Sequence, residues 1–450
     1  MEGLQSFGSI TSQGFSGSII TPFSSSYQST IQRFSTTCIL KPAVIVEPAT
    51  ANDISIALKF ALGLTRYHIP VPEIAVKGGG VNSAPGVSST NNGVVFDLAK
   101  MKSAKVSPDK KSITVAGGAL WSDVYAEADK QGVVVVGGSV HLVGVGGSTL
   151  AAGYSPLSGQ YGLAIDNMLS AQVVLASGQV INTDEKHEPD LFWAIRGGVN
   201  QFGIVTQMTF ATHPFPGPIT VGSLGYLGTD LPKVLAALHP TLLILPYIEE
   251  QKTKPDTVLA PFRTLAKPIF ESIFTVNNFT SVSHGADSSI TNQPPRVTTN
   301  GALISDVWDD TVTSVYQEWL KFTEDPEFQA TISMWEFSHR DKIASKPAGS
   351  TAFAARSPHY YWTVTARHTN PSNDRKVSDW TSNLAKSVRQ AQVKKTGKSL
   401  PLPASFAQTP QTVSTQDIYG DNLPKLRKLK ARYDPSKVWR TGWVIDPDHS

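Results

Sequence analysis

Three consecutive glycines stand between a short apolar run and a small polar turn in Ile74–Gly86, IAVKGGGVNSAPG. Such a stretch makes an anion cradle, because residues without a Cβ tolerate positive φ and let the backbone amides turn toward a pyrophosphate. Asn82 and Ser83 would add side-chain donors. The spacing is neither GxxxxGKS/T nor GxGxxG, so the two common nucleotide motifs do not account for it. A plain Gly-rich surface loop stays open as the alternative. A second glycine cluster, GGSVHLVGVGGSTLAAGYSPLSGQYGLAIDN from Gly137 to Asn167, suits a backbone lying against a flat ligand where a Cβ would intrude. Further on, PHYYWTVTARH brings His359, Tyr360, Tyr361, Trp362, Arg367 and His368 close together. On a strand these groups either floor a pocket or form an ordinary amphipathic strand with a histidine at each end.

The elements that must position these groups follow an α+β rhythm. PAVIVEPATANDISIALKFALGLT reads as a β-branched strand and then a helix, capped by Asn52 or Asp53, with Ile54, Ile56, Ala57, Leu58, Ala61 and Leu62 on its apolar side. GVVFDLAKM, SITVAGGAL and VVVVGG read as strands, with a helix from Trp121 to Gln131 before the last of them. LSAQVVLASGQVINT is two strands joined at Ser177-Gly178, and EPDLFWAIRGGVNQFGIVTQMTFAT is a short helix, a Gly-Gly break and a strand. From Pro214 to Pro403 the texture changes to fewer glycine clusters and more Pro, Thr and aromatic residues. Helices are expected there at LPKVLAALH and TSVYQEWLKFTE, and strands at FESIFTVNNFT and PHYYWTVTARH.

A chain of 450 residues exceeds one ordinary core, so two domains, interleaved or in series, are expected. The formal net charge is only +3 and the basic residues are scattered, except for Lys425–Arg432, which reads as a solvated helix face. Nucleic acid is therefore not the expected partner. The single cysteine, Cys38, excludes an internal disulfide and a thiolate metal centre, and no metal is expected. The first thirty residues show no continuous apolar core of a secretory signal, and no later stretch is long enough to span a membrane, so a cytoplasmic protein is expected.

Four segments together resemble the flavin-linked oxidases of the vanillyl-alcohol oxidase (PCMH-type) and berberine-bridge-enzyme-like group. VKGGGVNSAPG is similar to that group's R/K-GGGHS-x-x-G loop. VGVGGSTLAAGY and DLFWAIRGGVNQFGIVT follow in family order, and IYGDNLPKLRKLKARYDPSKVW is similar to the closing YxGxNxxRLxxxKxxxDPxxxF. The resemblance implies an α+β fold: a two-subdomain FAD-binding domain from residues 1–212 and 405–450, with an inserted α+β substrate domain, 213–404, whose antiparallel sheet is covered by helices. It places Lys77, Gly78, Gly79, Gly80, Val81, Asn82 and Ser83 at the FAD pyrophosphate. Val143, Gly144, Gly146, Gly147 and Ser148 fall near the ring and ribityl chain, followed by Gly153, Asp166, Gly203, Ile204 and Val205, with Tyr419 and Asn422 approaching from the closing segment.

The departures are informative. The histidine that commonly tethers the flavin is Val81 here, and the second tether, a cysteine four residues before the GxGG run, is Val140. Valine has no nucleophile, so FAD is expected to be held noncovalently. Aligning Arg356 with the family's arginine leaves Thr363 where a Glu or Gln base often stands. In related enzymes the residue before GxGG, here Val143, lies beside the flavin's oxygen-reactive carbon, where valine leaves room for dioxygen. The resemblance thus implies an FAD-dependent oxidoreductase acting on a small-molecule natural product, by alcohol oxidation or oxidative cyclisation, with dioxygen as partner if it is an oxidase. Tyr154, Tyr419, His141, His359 and Tyr361 are the candidate proton acceptors, and each has an equally good structural reading. Loss of both tethers and of the base keeps open a redox-neutral cyclase or isomerase with FAD as a structural wall, and behind it a flavin binder without catalysis.

Overall fold

In the computed structural model, which describes residues 7, 10, 13–63, 70–227, 241–265, 267–285, 287, 290–408 and 412–449, helices and strands alternate early and the strands then gather into separate sheets. Strands β1 (Ser18–Ile20), β2 (Val44–Glu47), β3 (Ile74–Lys77) and β4 (Val94–Asp97) form one sheet in the order β1-β2-β4-β3. β4 pairs parallel with β2 and β3. The apolar runs of β2 to β4 suit such a sheet, which is covered on its faces. The Ala51–Gly63 helix makes the crossover from β2 to β3 and buries Ile54, Ala57, Leu58 and Ala61, the i, i+3, i+4, i+7 stripe. Its cap is Thr50 instead of Asn52 or Asp53: Thr50 Oγ1 accepts from Asp53 N at 3.1 Å. The Asp53 carboxylate lies in the first turn, where it collects the amides of Ser16, Ala49 and Thr50.

A second, antiparallel sheet contains β5 (Ala104–Val106), β6 (Ser112–Ala116), β8 (Met168–Val174), β9 (Val180–Asp184) and β10 (Ile204–Ala211), in the order β5-β6-β10-β8-β9. The short β7 (Val133–Val134) pairs with β11 (His213–Pro214), so most of VVVVGG is not strand. β8 and β9 form the hairpin expected at Ser177-Gly178, with Gly178 at φ +79. The Trp121–Gln131 helix buries Trp121, Val124, Tyr125 and Ala128 and ends on Gly132 in the left-handed region. These side chains share one core with Phe192, Phe210, Tyr419 and Leu426, so the closing segment packs onto the second sheet's side of the molecule.

The middle of the chain holds two antiparallel sheets. In the first, β12 (Ile219–Leu227) pairs along one edge with β15 (Phe270–Val276) and along the other with β13 (Thr241–Ile244) and β14 (Tyr247–Glu249). The second is β16 (Arg296–Ile304), β18 (Tyr360–His368) and β17 (Ile332–Glu336), with β18 central. One face of it, Ala302, Ile304, Trp362 and Val364, packs on Leu384, Ala385 and Val388 of the Asp374–Thr396 helix. TSVYQEWLKFTE forms the Asp309–Thr323 helix, whereas LPKVLAALH lies outside the described residues. Among the described residues no helix is long and apolar enough to cross a membrane.

The basic run near the end is a helix, Leu423–Tyr433, with Leu426 and Leu429 buried as its pattern predicts. Lys430 departs from the solvated reading. Its ammonium is fully buried and donates to the carbonyls of Gln201 and Trp439 at 2.8 Å each, beside the Asp434 carboxylate, also at 2.8 Å. Asp434 in turn accepts from the amides of Val438 and Trp439. The K-x-x-x-D spacing is thus a buried clamp on the Gly198–Gly203 turn.

Candidate active site

The two glycine clusters meet backbone to backbone. A Cβ on Gly79 would stand 2.5 Å from Gly144 N, and one on Gly144 would stand 2.3 Å from Gly79 N. Gly117, in the break that follows β6, completes the contact: its carbonyl faces Gly78 and Gly146. Gly79 is therefore required by loop–loop packing, and its φ is ordinary. Gly80 does adopt φ +70, and Gly147 has open space where its Cβ would be. None of the amides from Gly78 to Ser83 donates to another described residue. A run of free amides on a glycine bend is an anion receptor, and it fits a diphosphate ester such as that of FAD.

The side chains of the loop also make bonds within the protein. Lys77 Nζ is 2.7 Å from Asp97 Oδ2, and Asn82 Oδ1 accepts from Ala84 N at 2.7 Å. Ser83 Oγ donates to Gln408 Oε1 at 3.3 Å and accepts from Thr299 N at 3.1 Å, while Gln408 Nε2 donates to Ser83 O at 2.9 Å. Gln408 and Thr299 thus tie the glycine loop to the closing segment and to β16. Neither is prominent in the sequence, since a lone Gln and a strand Thr carry no motif. Ser148 Oγ turns back to Gly144 O and accepts from Trp121 Nε1. Thr149 Oγ1, Ser89 Oγ and Arg33 Nε are buried without a partner, and Arg33 packs against Gly80.

The other face of the β16-β18-β17 sheet, turned away from the Asp374–Thr396 helix, carries the ionisable groups. Register puts Tyr361 across from Leu303 and Glu336, and Thr363 across from Gly301 and Met334. This face meets the flavin-side segments: Tyr361 lies 4.9 Å from the Tyr154 ring and stacks on Phe406 at 5.0 Å. Tyr154 O–H bonds His359 Nε2 at 2.7 Å, and His359 Nδ1 is 2.7 Å from Ser357 O. A carbonyl only accepts, so Nδ1 carries the proton and Nε2 accepts from the tyrosine. Burial holds the His359 imidazolium down, to a pKa of about 4, and pushes the Tyr154 phenol up. Tyr361 O–H donates to Glu336 Oε2. Burial pushes the Glu336 carboxyl up to about 7, against the lowering effect of that bond, and raises Tyr361 well above its ordinary value.

Of the expected proton acceptors, Tyr154, His359 and Tyr361 come together, joined by Glu336, which sequence reasoning missed. His141 lies elsewhere, in a cluster with His284 and Asp287. Tyr419 is a core residue whose hydroxyl reaches Trp443 O at 3.4 Å, and Asn422 Nδ2 donates to the carbonyls of Thr351 and Ala352. Asp166 forms a buried pair with Arg356, 2.8 Å apart, which leaves its carboxylate engaged. Gly153 (φ +77) and Gly203 (φ +149) abut Ala164 and Val173, and Ile204 and Val205 are buried in β10. Val81, Val140 and Val143 are half-buried.

Two family models match the chain: the FAD binding domain over residues 42–184, and berberine and berberine-like over residues 406–442. An FAD-linked oxidoreductase, pgmH of Aspergillus terreus, is 26% identical across 94% of this chain and 91% of its own. An FAD-dependent monooxygenase, CTB5 of Cercospora beticola, is 33% identical over 300 residues, 59% of this chain and 57% of that one. Among solved structures, wild-type BBE-like 1 of Physcomitrella patens superposes with a TM-score of 0.83 at 20% identity, covering 98% of this chain and 99% of that one. A xylooligosaccharide oxidase of Myceliophthora thermophila C1 does so with a TM-score of 0.80 at 20% identity and the same coverage. At that identity the two structures establish the fold.

Proposed function

We propose, from the premise that this chain is an FAD-dependent oxidoreductase of the berberine-bridge-like group, that it oxidises a small, largely apolar natural product on noncovalently held FAD, with the Tyr361–Glu336 pair receiving the proton. The observation that carries this reading is the pair itself, a half-buried carboxyl raised to about 7 by desolvation and bonded to a phenol on the sheet face that meets Tyr154 and Phe406.

Bound FAD supplies the hydride acceptor. The cradle amides and the Gly79–Gly144 contact hold the diphosphate, while Val81 and Val140 form no bond to the ring. A carboxyl of pKa near 7 has both an ionised fraction and useful basicity at neutral pH. Glu336 therefore provides what Thr363 lacks, from the neighbouring strand. Tyr361 passes the substrate's proton to it. His359, neutral at working pH, orients the Tyr154 hydroxyl from the other side. Ile332 and Met334, 37% and 38% exposed on the same face as Glu336, give an apolar floor for the body of the substrate. That combination suits an apolar molecule presenting one hydroxyl or acidic C–H. The inserted region, roughly 213–404, acts as the substrate-binding unit, and dioxygen, admitted past Val143, is the terminal oxidant. The test is to find a compound in a metabolite extract that the holoprotein converts, and to mix it with the protein without air. Bleaching of the flavin supports oxidation. Product formation with the flavin still yellow would point to a redox-neutral cyclase or isomerase instead.

A further inference from the structure

We propose that His141, His284 and Asp287 form a divalent-cation site with an affinity for Zn²⁺, where the second glycine cluster meets the inserted unit. The donor atoms of the three side chains all lie within 4.8 Å of one another. His141 Nδ1 is 3.2 Å from Asp287 Oδ1, and His284 Nδ1 is 2.7 Å from Asp287 Oδ2. The two imidazoles stack at 3.9 Å with 21° between planes, so both present the same nitrogen to one carboxylate.

His141 Nδ1 and Asp287 Oδ1 are both buried and face each other at 3.2 Å without a hydrogen bond from either. Polar atoms removed from water without a partner cost free energy, and a cation placed between them would satisfy both. Tetrahedral coordination at about 2.0–2.1 Å sets donor atoms about 3.3–3.4 Å apart, against 3.2 and 2.7 Å for the two His–Asp pairs and at most 4.8 Å across the cluster. His284 and Asp287, with side chains 43% and 39% exposed, are free to make the remaining adjustment, while His141 at 15% is held. Two imidazoles and one carboxylate favour zinc and its neighbours over magnesium or calcium, and three protein ligands leave one position for water.

The backbone supports the placement. His141 N donates to Ser283 O at 3.3 Å. The Phe279–Ser283 helix that carries Ser283 is pinned by Asp129, which accepts from the amides of Phe279 and Thr280 at 2.9 Å each. A bound ion would thus clamp the inserted unit onto the segment that contains Val140 and Val143.

The experiment uses full-length holoprotein dialysed against chelator, with Zn²⁺ affinity read by competition with a chromophoric chelator and by the shift in melting temperature. Wild type is expected to bind one ion per chain and to melt higher with it. His284→Ala and Asp287→Ala are expected to bind at least about tenfold more weakly, with flavin absorbance retained as the check on folding. His187→Ala, removing an exposed histidine paired with Asp184, should bind like wild type. Equal affinity in wild type and both cluster variants, or no binding by wild type, would overturn the site.

Discussion

Glu336→Gln removes one ionisable group and keeps an acceptor for the Tyr361 hydroxyl. The reductive half-reaction should slow by about 10²–10⁴-fold, and its rise with pH, centred near 7 in the wild type, should flatten. Stability carries the same signature. A carboxyl whose folded pKa is raised stabilises the fold fully below its unfolded pKa of about 4.3, and that contribution is lost as pH climbs through 7. His359, with its pKa held down to about 4, acts the opposite way, its contribution being present above about 6.5 and lost as pH falls through 4. Melting curves of Glu336→Gln from pH 4 to 8 should therefore lose the decline above pH 4.3 and keep the one on the acid side. Unchanged curves would remove Glu336 from the account. A second residue-scale outcome concerns oxygen: Val143→Leu adds one methylene where dioxygen is to pass. Dithionite-reduced Val143→Leu should reoxidise more slowly in air than wild type, with flavin reduction unaffected, and equal reoxidation rates would refute the gate.

At the scale of elements, the cradle depends on two loops touching without side chains between them. Gly79→Val puts branched carbon against the Gly144 backbone, 2.5 Å from its nitrogen at the Cβ alone, so the variant should purify without stoichiometric FAD; retention of FAD by Gly79→Val would sink the cradle assignment. This part of the site was legible in the sequence because glycine strings report backbone proximity directly. Glu336 was not, because it enters the site only through antiparallel register: it lies 25 positions before Tyr361 yet directly across from it. Thr363 stands on β18, and the carboxylate stands on the neighbouring β17. Gln408 and Gly117 were missed for the same reason, as each acts through a partner remote in the chain. Thr50 and Lys430 show a different limit. A Thr three residues before an Asp, and a lysine within a basic run, read alike whether they face solvent or free backbone groups, and only the packing of Gly198–Gly203 against the last helix buries Lys430.

At the scale of the molecule, the sheet that carries Tyr361 is tied to the glycine loop by Thr299 N and Ser83 Oγ, and to other parts of the chain at several separate points. Ser35 exchanges bonds of 2.8 Å with the backbone of Val297, Thr36 N donates to Pro295 O, and Asp166 pairs with Arg356. The last is fully desolvated, and Asp166→Asn leaves the guanidinium without its countercharge, a change expected to cost about 3–5 kcal/mol and measurable as a drop in the denaturant midpoint. Four collinear motifs made the flavin-binding segments recognisable, whereas the middle of the chain carried no motif and its two sheets emerge only from the structure. The central claim joins both halves: a glycine cradle that retains FAD by contacts alone, and a sheet that supplies the base. Precipitating the purified holoprotein with acid tests its foundation most directly. One FAD per chain in the supernatant over a colourless pellet is the predicted result, and yellow colour that stays with the precipitated protein would contradict it.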